Sequence, residues 1–367
     1  MVKEFAFLFR KEINQYDFGK GHPFHGRRGE DFLNFFKEKI KIDFPVLKAK
    51  KAEEEDLLLI CEKDYIDFTK KYFEAKNLGK DFNGRFFHYH SADNLPREGA
   101  GKIEKACRYI IGQAKLAAEL TIEGKFKKVI SIGGGLHHAK ENFGEGFCLY
   151  NDVAFCAKYL MEKYNLKRIL ILDTDAHCGN GTMEYFYEEE RVLFIDLHQN
   201  PLTLYPGTGF VNQIGSREGE GLVINVPLPP LASDESYKLI FEKIVRPVTN
   251  EFEPQVIIRN GGSDPHFSDQ LTNLGLTIRG FKIIGKEVRN LAKICQGKEI
   301  DLIASGYDLK TLPYCWSALI SSLVGREIKL EEKIPPYLKK DPALNETKKL
   351  IKEIKKRLKK YWKSLKN

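Results

Sequence analysis

The sequence predicts an α/β fold: a central parallel sheet with helices on both faces. Three observations predict it. Short apolar runs rich in Ile, Leu and Val alternate with segments of helical periodicity along most of the chain. The runs lack the in/out alternation of a half-exposed sheet, so each strand is expected to be covered on both sides. Polar clusters repeatedly follow the ends of these runs, and in open α/β sheets that carboxyl edge is where ligands bind.

Phe5 to Phe9 and Leu57 to Ile60 are candidate early strands. Between them, YDFGKGHPFHGRRGEDFLNFF reads as a Gly/Pro-rich loop entering a helix at about Gly29. Its His22, His25, Arg27 and Arg28 form either a solvated basic turn or a functional cluster. Residues 64–125 read as helices and loops. Within them, HYHSADNLPREGAG (88–101) has the composition of an exposed loop, and a helix is expected from Ile103 to Leu120. The strand Val129 to Ile132 ends in three glycines and then His137 and His138. The glycines permit close backbone approach, and paired histidines at that point are candidates for catalysis. EGFCLYND (145–152) opens a helix with Asp152 as its expected N-cap. Further strands are expected at Val192 to Leu197, Leu222 to Val226, Val256 to Ile258 and Leu302 to Ala304. They are followed respectively by His198, PLPP, RNGGSD and SGYD.

The central stretch is ILILDTDAHCGNGT, from Ile169 to Thr182. In extended backbone, residues i, i+2 and i+4 point to one side, so Asp173, Asp175 and His177 can face one pocket. Carboxylate oxygen and imidazole nitrogen are donors of an open catalytic zinc site. The alternative is a polar loop in which Asp173 caps the following helix.

At 367 residues with 42% apolar content, the chain can bury a large core. No apolar run is long enough to span a membrane, and MVKEFAFLFRKE lacks the form of a signal peptide. Seven cysteines without a CxxC pair suit free thiols in a reducing cytoplasm, with Cys148 and Cys156 read as buried bystanders. The net charge of +8 lies wholly in the tail, where Glu346 to Asn367 hold nine Lys and one Arg against two Glu. The body is balanced and gives no electrostatic reason to expect nucleic-acid binding. One domain is expected over 1–330, followed by a basic C-terminal extension over 331–367. In that extension Ile351, Ile354, Leu358, Tyr361 and Leu365 recur at helical spacing. Such a stripe suits docking on the core or self-association, with an acidic partner or membrane surface as the alternative.

Taken together, several motifs resemble the zinc-dependent deacetylases, the histone deacetylases and their bacterial and archaeal relatives, most closely the acetoin-utilisation type. They are YDFGKGHPFHGRR, GGGLHHAKENFGEGFCLYNDVA, ILDTDAHCGNGT, DLHQNPLTLYPGTG, GLVINVPLPP, GGSDPHFSDQLTNLGLT and SGYD, in the family's order, from about residue 15 to 325. The resemblance implies a three-layer α/β/α arginase–deacetylase fold and one catalytic zinc on Asp175, His177 and Asp264, with Asp269 the rival third ligand. It implies His138 as general base, His137 with Asp173 as a cationic second histidine, and Tyr307 as oxyanion donor. Gly146, Phe147, Tyr205, Leu271 and Asp93 would line the substrate channel. It also implies a potassium ion around Asp173, Asp175, His177, Asp196 and Leu197.

Three departures from the family pattern stand out. Asn180 takes the place of a frequent aspartate behind His138 and should leave that histidine less basic. Cys178 replaces a common histidine. Ser305 replaces a glycine beside Tyr307. An arginase-type dimanganese centre would need a carboxylate at Gly179, and a non-catalytic scaffold is the remaining rival. The expected substrate is acetyl-lysine in proteins. The resemblance favours lysine because Leu271 stands where a polyamine-selective subfamily places glutamate; an acetylpolyamine is the alternative.

Overall fold

The computed structural model describes residues 3–80 and 84–366. Its centre is an eight-stranded sheet built from β1 (Lys3–Leu8), β2 (Val46–Leu47), β3 (Phe126–Ile132), β4 (Ile169–Asp173), β5 (Val192–Gln199), β6 (Val223–Leu228), β7 (Val256–Asn260) and β8 (Glu299–Ile303). The order is β2-β1-β3-β8-β7-β4-β5-β6, and every neighbouring pair is parallel.

Alternate residues of each strand feed two separate apolar cores. Leu170, Leu172, Ile195, Ile257 and Ile303 point into one core, together with the helices Arg28–Ile40, Ile278–Leu291 and Leu312–Leu323. Ile169, Ile171, Phe194, Ile258 and Leu302 point into the other, with the helices Lys63–Asn77, Ile103–Ile122 and Asp152–Tyr164. Burial on both faces explains why the strands read as continuous apolar runs.

Three sequence expectations are corrected. Leu57 to Ile60 is not a strand: Glu54–Leu57 is a helical turn that leads into Lys63–Asn77. Leu57 and Ile60 are buried while Leu58 is exposed, a three-residue spacing that a run of four apolar residues disguises. The cap of the helix Asp152–Tyr164 is Asn151, whose side chain accepts from Ala154 N at 2.8 Å. Asp152 instead accepts from the N–H groups of Gly135 and Leu136 at 2.7–2.9 Å and so holds the glycine turn. The 88–101 segment is anchored rather than wholly exposed, with His90 and Asn94 fully buried. Among the described residues no helix is long and apolar enough to cross a membrane.

The basic tail forms the helix Leu344–Leu358 and a short turn, Lys363–Leu365. Ile351, Ile354, Leu358, Trp362 and Leu365 are buried in the same core as Leu170 and Leu172, and Tyr361 packs at its edge. Asp341 accepts from Ser233 N and Ser236 N and so caps the helix Asp234–Ile240. Trp362 Nε1 donates to Gly221 O at 2.8 Å. Trp362→Ala is expected to lower stability by about 3–5 kcal/mol, seen as a lower denaturant midpoint at unchanged slope. An unchanged midpoint would contradict this docking.

Candidate active site

The strand order gathers residues that are far apart in sequence. The carboxyl ends of β3, β8, β7, β4 and β5 lie side by side and carry, in that order, the 133–138 turn, Ser305 and Tyr307, Asn260 to Asp264, Asp173 to His177, and Asp196. The register pairs Asp173 with Asn260 on one side and with Asp196 on the other.

Asp175, His177 and Asp264 converge as one group of metal-ligand type, all three buried. His177 Nδ1 lies 3.1 Å from Asp175 Oδ1 and 3.0 Å from Asp264 Oδ2. Burial and the charge of Asp175 push the Asp264 carboxyl well above the usual range. Burial opposes a charge on His177, but the two carboxylates outweigh it and raise its pKa to about 10. Two buried carboxylates this close repel each other and lose hydration, a cost that a divalent cation removes. The donor set therefore fits a zinc-type ion with an open coordination position. Asp269 is not part of this group. Its Oδ2 accepts from Tyr307 N at 2.8 Å and its Oδ1 from Leu271 N at 2.9 Å, so it positions the Tyr307 loop. Ser305 Oγ donates to Asp264 Oδ1 at 2.6 Å and holds that carboxylate directly.

The two histidines are wired differently. His137 Nδ1 bonds Asp173 Oδ2 at 2.8 Å, and Asp173 is also held by Asn260 Nδ2 and Asp175 N. His138 Nδ1 bonds Asn180 Oδ1 at 2.7 Å, while Asn180 Nδ2 donates to Glu145 Oε1 at 2.8 Å, which fixes the amide's direction. Both Nδ1 atoms must then carry hydrogen, and the Nε2 atoms, 3.2 Å apart, share one more. The pair thus holds one extra proton. Asp173 and Asp175 place it on His137, raising that pKa to about 9 against the effect of burial. Burial and the neighbouring His137 and His177 hold His138 well below the ordinary histidine range. The Asn180 hydrogen bond itself favours the charged ring, but burial and the two neighbouring histidines outweigh it.

Tyr307 faces the same pocket, 6.0 Å ring to ring from Phe147 and 6.3 Å from His177. Burial and the charges of Asp264 and Asp175 raise its pKa well above 10, so its hydroxyl remains a donor. Tyr205 packs edge-on to His138 at 5.1 Å and is 41% exposed, forming part of the rim. Gly146 has a positive φ, and a Cβ there would lie 2.2 Å from the His138 ring, so only glycine fits. Asp93 Oδ2 accepts from Gly146 N at 3.0 Å. Leu271 is a partly exposed aliphatic. Asp196 Oδ2 accepts from Gly179 N at 2.9 Å, and Leu197 is buried beside it in β5.

The His22–Arg28 cluster is split: Arg27 is exposed, whereas His22 and Arg28 are buried. His22 stacks on Phe18 and meets Phe147 edge-on. Arg28 lies over Phe24 and donates to Ala304 O and Gly306 O at 2.9 and 3.0 Å, clamping the Tyr307 turn. Burial brings its pKa down to about 10. Sequence reasoning missed Phe24, Asn260 and Glu145 as site residues. Glu145 had one available signal, an acid directly before the channel glycine.

Comparison with known proteins places the chain among relatives. Residues 22–323 match the model of the histone deacetylase domain. A probable deacetylase of Archaeoglobus fulgidus is 36% identical over 330 residues, 88% of this chain and 87% of that protein. The acetoin utilization protein AcuC of Staphylococcus xylosus is 32% identical over 89% of this chain and 84% of its own length. Among solved structures, the HDA15 HD domain superposes with a TM-score of 0.84 at 23% identity, covering 100% of this chain and 97% of that one. The layered arrangement is thus the α/β/α fold of the arginase–deacetylase class.

Ser305→Ala removes the donor to Asp264 and is expected to weaken divalent-metal affinity about 10–100-fold. Zinc titration against a competing chelator reads this, and an unchanged affinity would show that the hydroxyl does not support the ligand.

Proposed function

The chain belongs to the histone deacetylase family, and on that premise we propose that it is a zinc-dependent amidohydrolase that removes acetyl groups from lysine side chains of proteins. The observation that carries this reading is the convergence of Asp175, His177 and Asp264 beside His137, His138 and the Tyr307 hydroxyl. Zn²⁺ on the three ligands would polarise the acetyl carbonyl and acidify water. Potassium around Asp173, Asp175, His177, Asp196 and Leu197 is part of the same reading.

The chain's own groups supply the rest. His138 Nε2, on release from its hydrogen bond with His137, accepts the proton of the attacking water and later delivers it to the departing amine. Its Nδ1–H stays on Asn180, which keeps Nε2 as the basic atom. His137, charged and held by Asp173, stabilises negative charge as the carbonyl carbon becomes tetrahedral. The Tyr307 hydroxyl donates to the developing oxyanion. Arg28 and Asp269 fix its backbone from either side of the turn. Phe147 and Tyr205 flank a methylene stem.

The aliphatic Leu271 favours lysine over a polyamine. Glu145 is engaged by Asn180 and by Lys140 at 3.6 Å, and Asp93 by Gly146 N and Ser91 Oγ. Leu271, where an acidic residue would meet a second substrate cation, is an exposed aliphatic, and burial of that cation without a carboxylate is costly.

Asp264→Asn is expected to lose both metal and turnover, whereas Asp269→Asn keeps the metal; metal analysis giving the reverse would reassign the third ligand. Tyr307→Phe should retain zinc and lose about 10²–10³ in kcat; near-normal acetate release would remove its donor role. With metal-reconstituted protein, kcat/KM for an acetyl-lysine peptide should exceed that for N-acetylputrescine and N8-acetylspermidine. A preference for either polyamine would sink the protein-substrate reading.

A further inference from the structure

A second group of ligand-type side chains lies behind the first, on the far side of the 173–177 strand end. Cys178, Asp196 and His198 bring a sulfur, a carboxylate oxygen and an imidazole nitrogen to within 4.8 Å of one another, all buried. The mechanism above uses neither Cys178 nor His198.

The hydrogen bonding leaves donor atoms of this group turned towards one another. His198 Nε2 bonds Gly209 O at 2.9 Å, so Nε2 carries the hydrogen and the Nδ1 lone pair points the other way. Asp196 Oδ2 is taken by Gly179 N, which leaves Oδ1. Nδ1 and Oδ1 lie 3.0 Å apart in full burial; with a neutral ring both lack a hydrogen-bond partner, and only a charged His198 closes them as an ion pair. Native structures rarely leave such atoms orphaned. A ring whose far N–H is fixed by a backbone carbonyl is also the arrangement metal-bound histidines adopt. Gly209 closes the group from outside: a Cβ on it would lie 2.5 Å from His198 Nε2 and 2.6 Å from Cys178 Sγ. Sulfur, imidazole and carboxylate together select a borderline-soft divalent ion over potassium or magnesium.

We propose that Cys178 Sγ, His198 Nδ1 and Asp196 Oδ1 bind a second zinc-class ion, a structural one, behind the catalytic centre. Binding replaces the thiol S–H by a sulfur–metal bond and releases that proton to solvent. The ion would tie the end of β5 and the Gly209 loop to the chain just after His177, and so brace a catalytic ligand from the rear.

Cobalt(II) tests this, because the Asp175–His177–Asp264 site contains no sulfur. Full-length protein, stripped of metal and reloaded with Co²⁺, is expected to hold two ions per chain and to show a thiolate-to-cobalt charge-transfer band. Asp264→Asn should lose one ion and keep the band. Cys178→Ser and His198→Asn should each lose one ion and the band, with the catalytic ion retained; His198→Asn keeps the thiol and serves if the cysteine variant fails to fold. One ion per chain with no band in the unaltered protein would overturn the proposal and leave a buried ion pair in its place. Acetate release is a separate readout, so failure here is distinct from failure of the deacetylase reading.

Discussion

The constraint on which the molecule turns is the crowding of buried carboxylates at one sheet edge. Asp173, Asp175, Asp196 and Asp264 are at most 2% exposed and come from adjoining segments at the ends of β4, β5 and β7. Four such groups are tolerable only if each is met by positive charge or by hydrogen-bond donors. Asp173 is met by His137, Asn260 and a backbone N–H, and Asp196 by Gly179 N with His198 alongside. Asp175 and Asp264 have His177 between them and the geometry for a cation. The parallel register that creates the crowding also builds the site.

Much of this was legible in the residues. Strands buried on both faces betray themselves as apolar runs, and where a run stops, the chemistry starts: Leu172 gives way to Asp173, and Ile132 to the glycine turn. Strand order was not legible, because it depends on which helices cross which face. No local pattern says that β8 lies between β3 and β7 and so delivers Tyr307 opposite His137. Short apolar runs are ambiguous for a similar reason. Leu57 to Ile60 reads like Ile169 to Leu172, and only the exposure of Leu58 separates a helical turn from a strand.

Departures from the family pattern gain meaning from their contacts. Ser305 is tied to Asp264, so a hydroxyl takes part in holding that carboxylate where a glycine offers none. Asn180 does not stand alone behind His138, because Glu145 orients its amide and keeps the carbonyl oxygen aimed at the ring. Cys178 faces Asp196 and His198. Spacing shows that a residue differs; the partner that makes sense of it lies elsewhere in the chain.

The claim that a cation neutralises the central carboxylates is tested most directly by anomalous diffraction at the zinc edge from crystals of the zinc-loaded protein. The account predicts a peak bonded at about 2.0–2.2 Å to His177 Nδ1 and to one oxygen each of Asp175 and Asp264. No peak at that point, or one bonded to Asp269 instead, would contradict it.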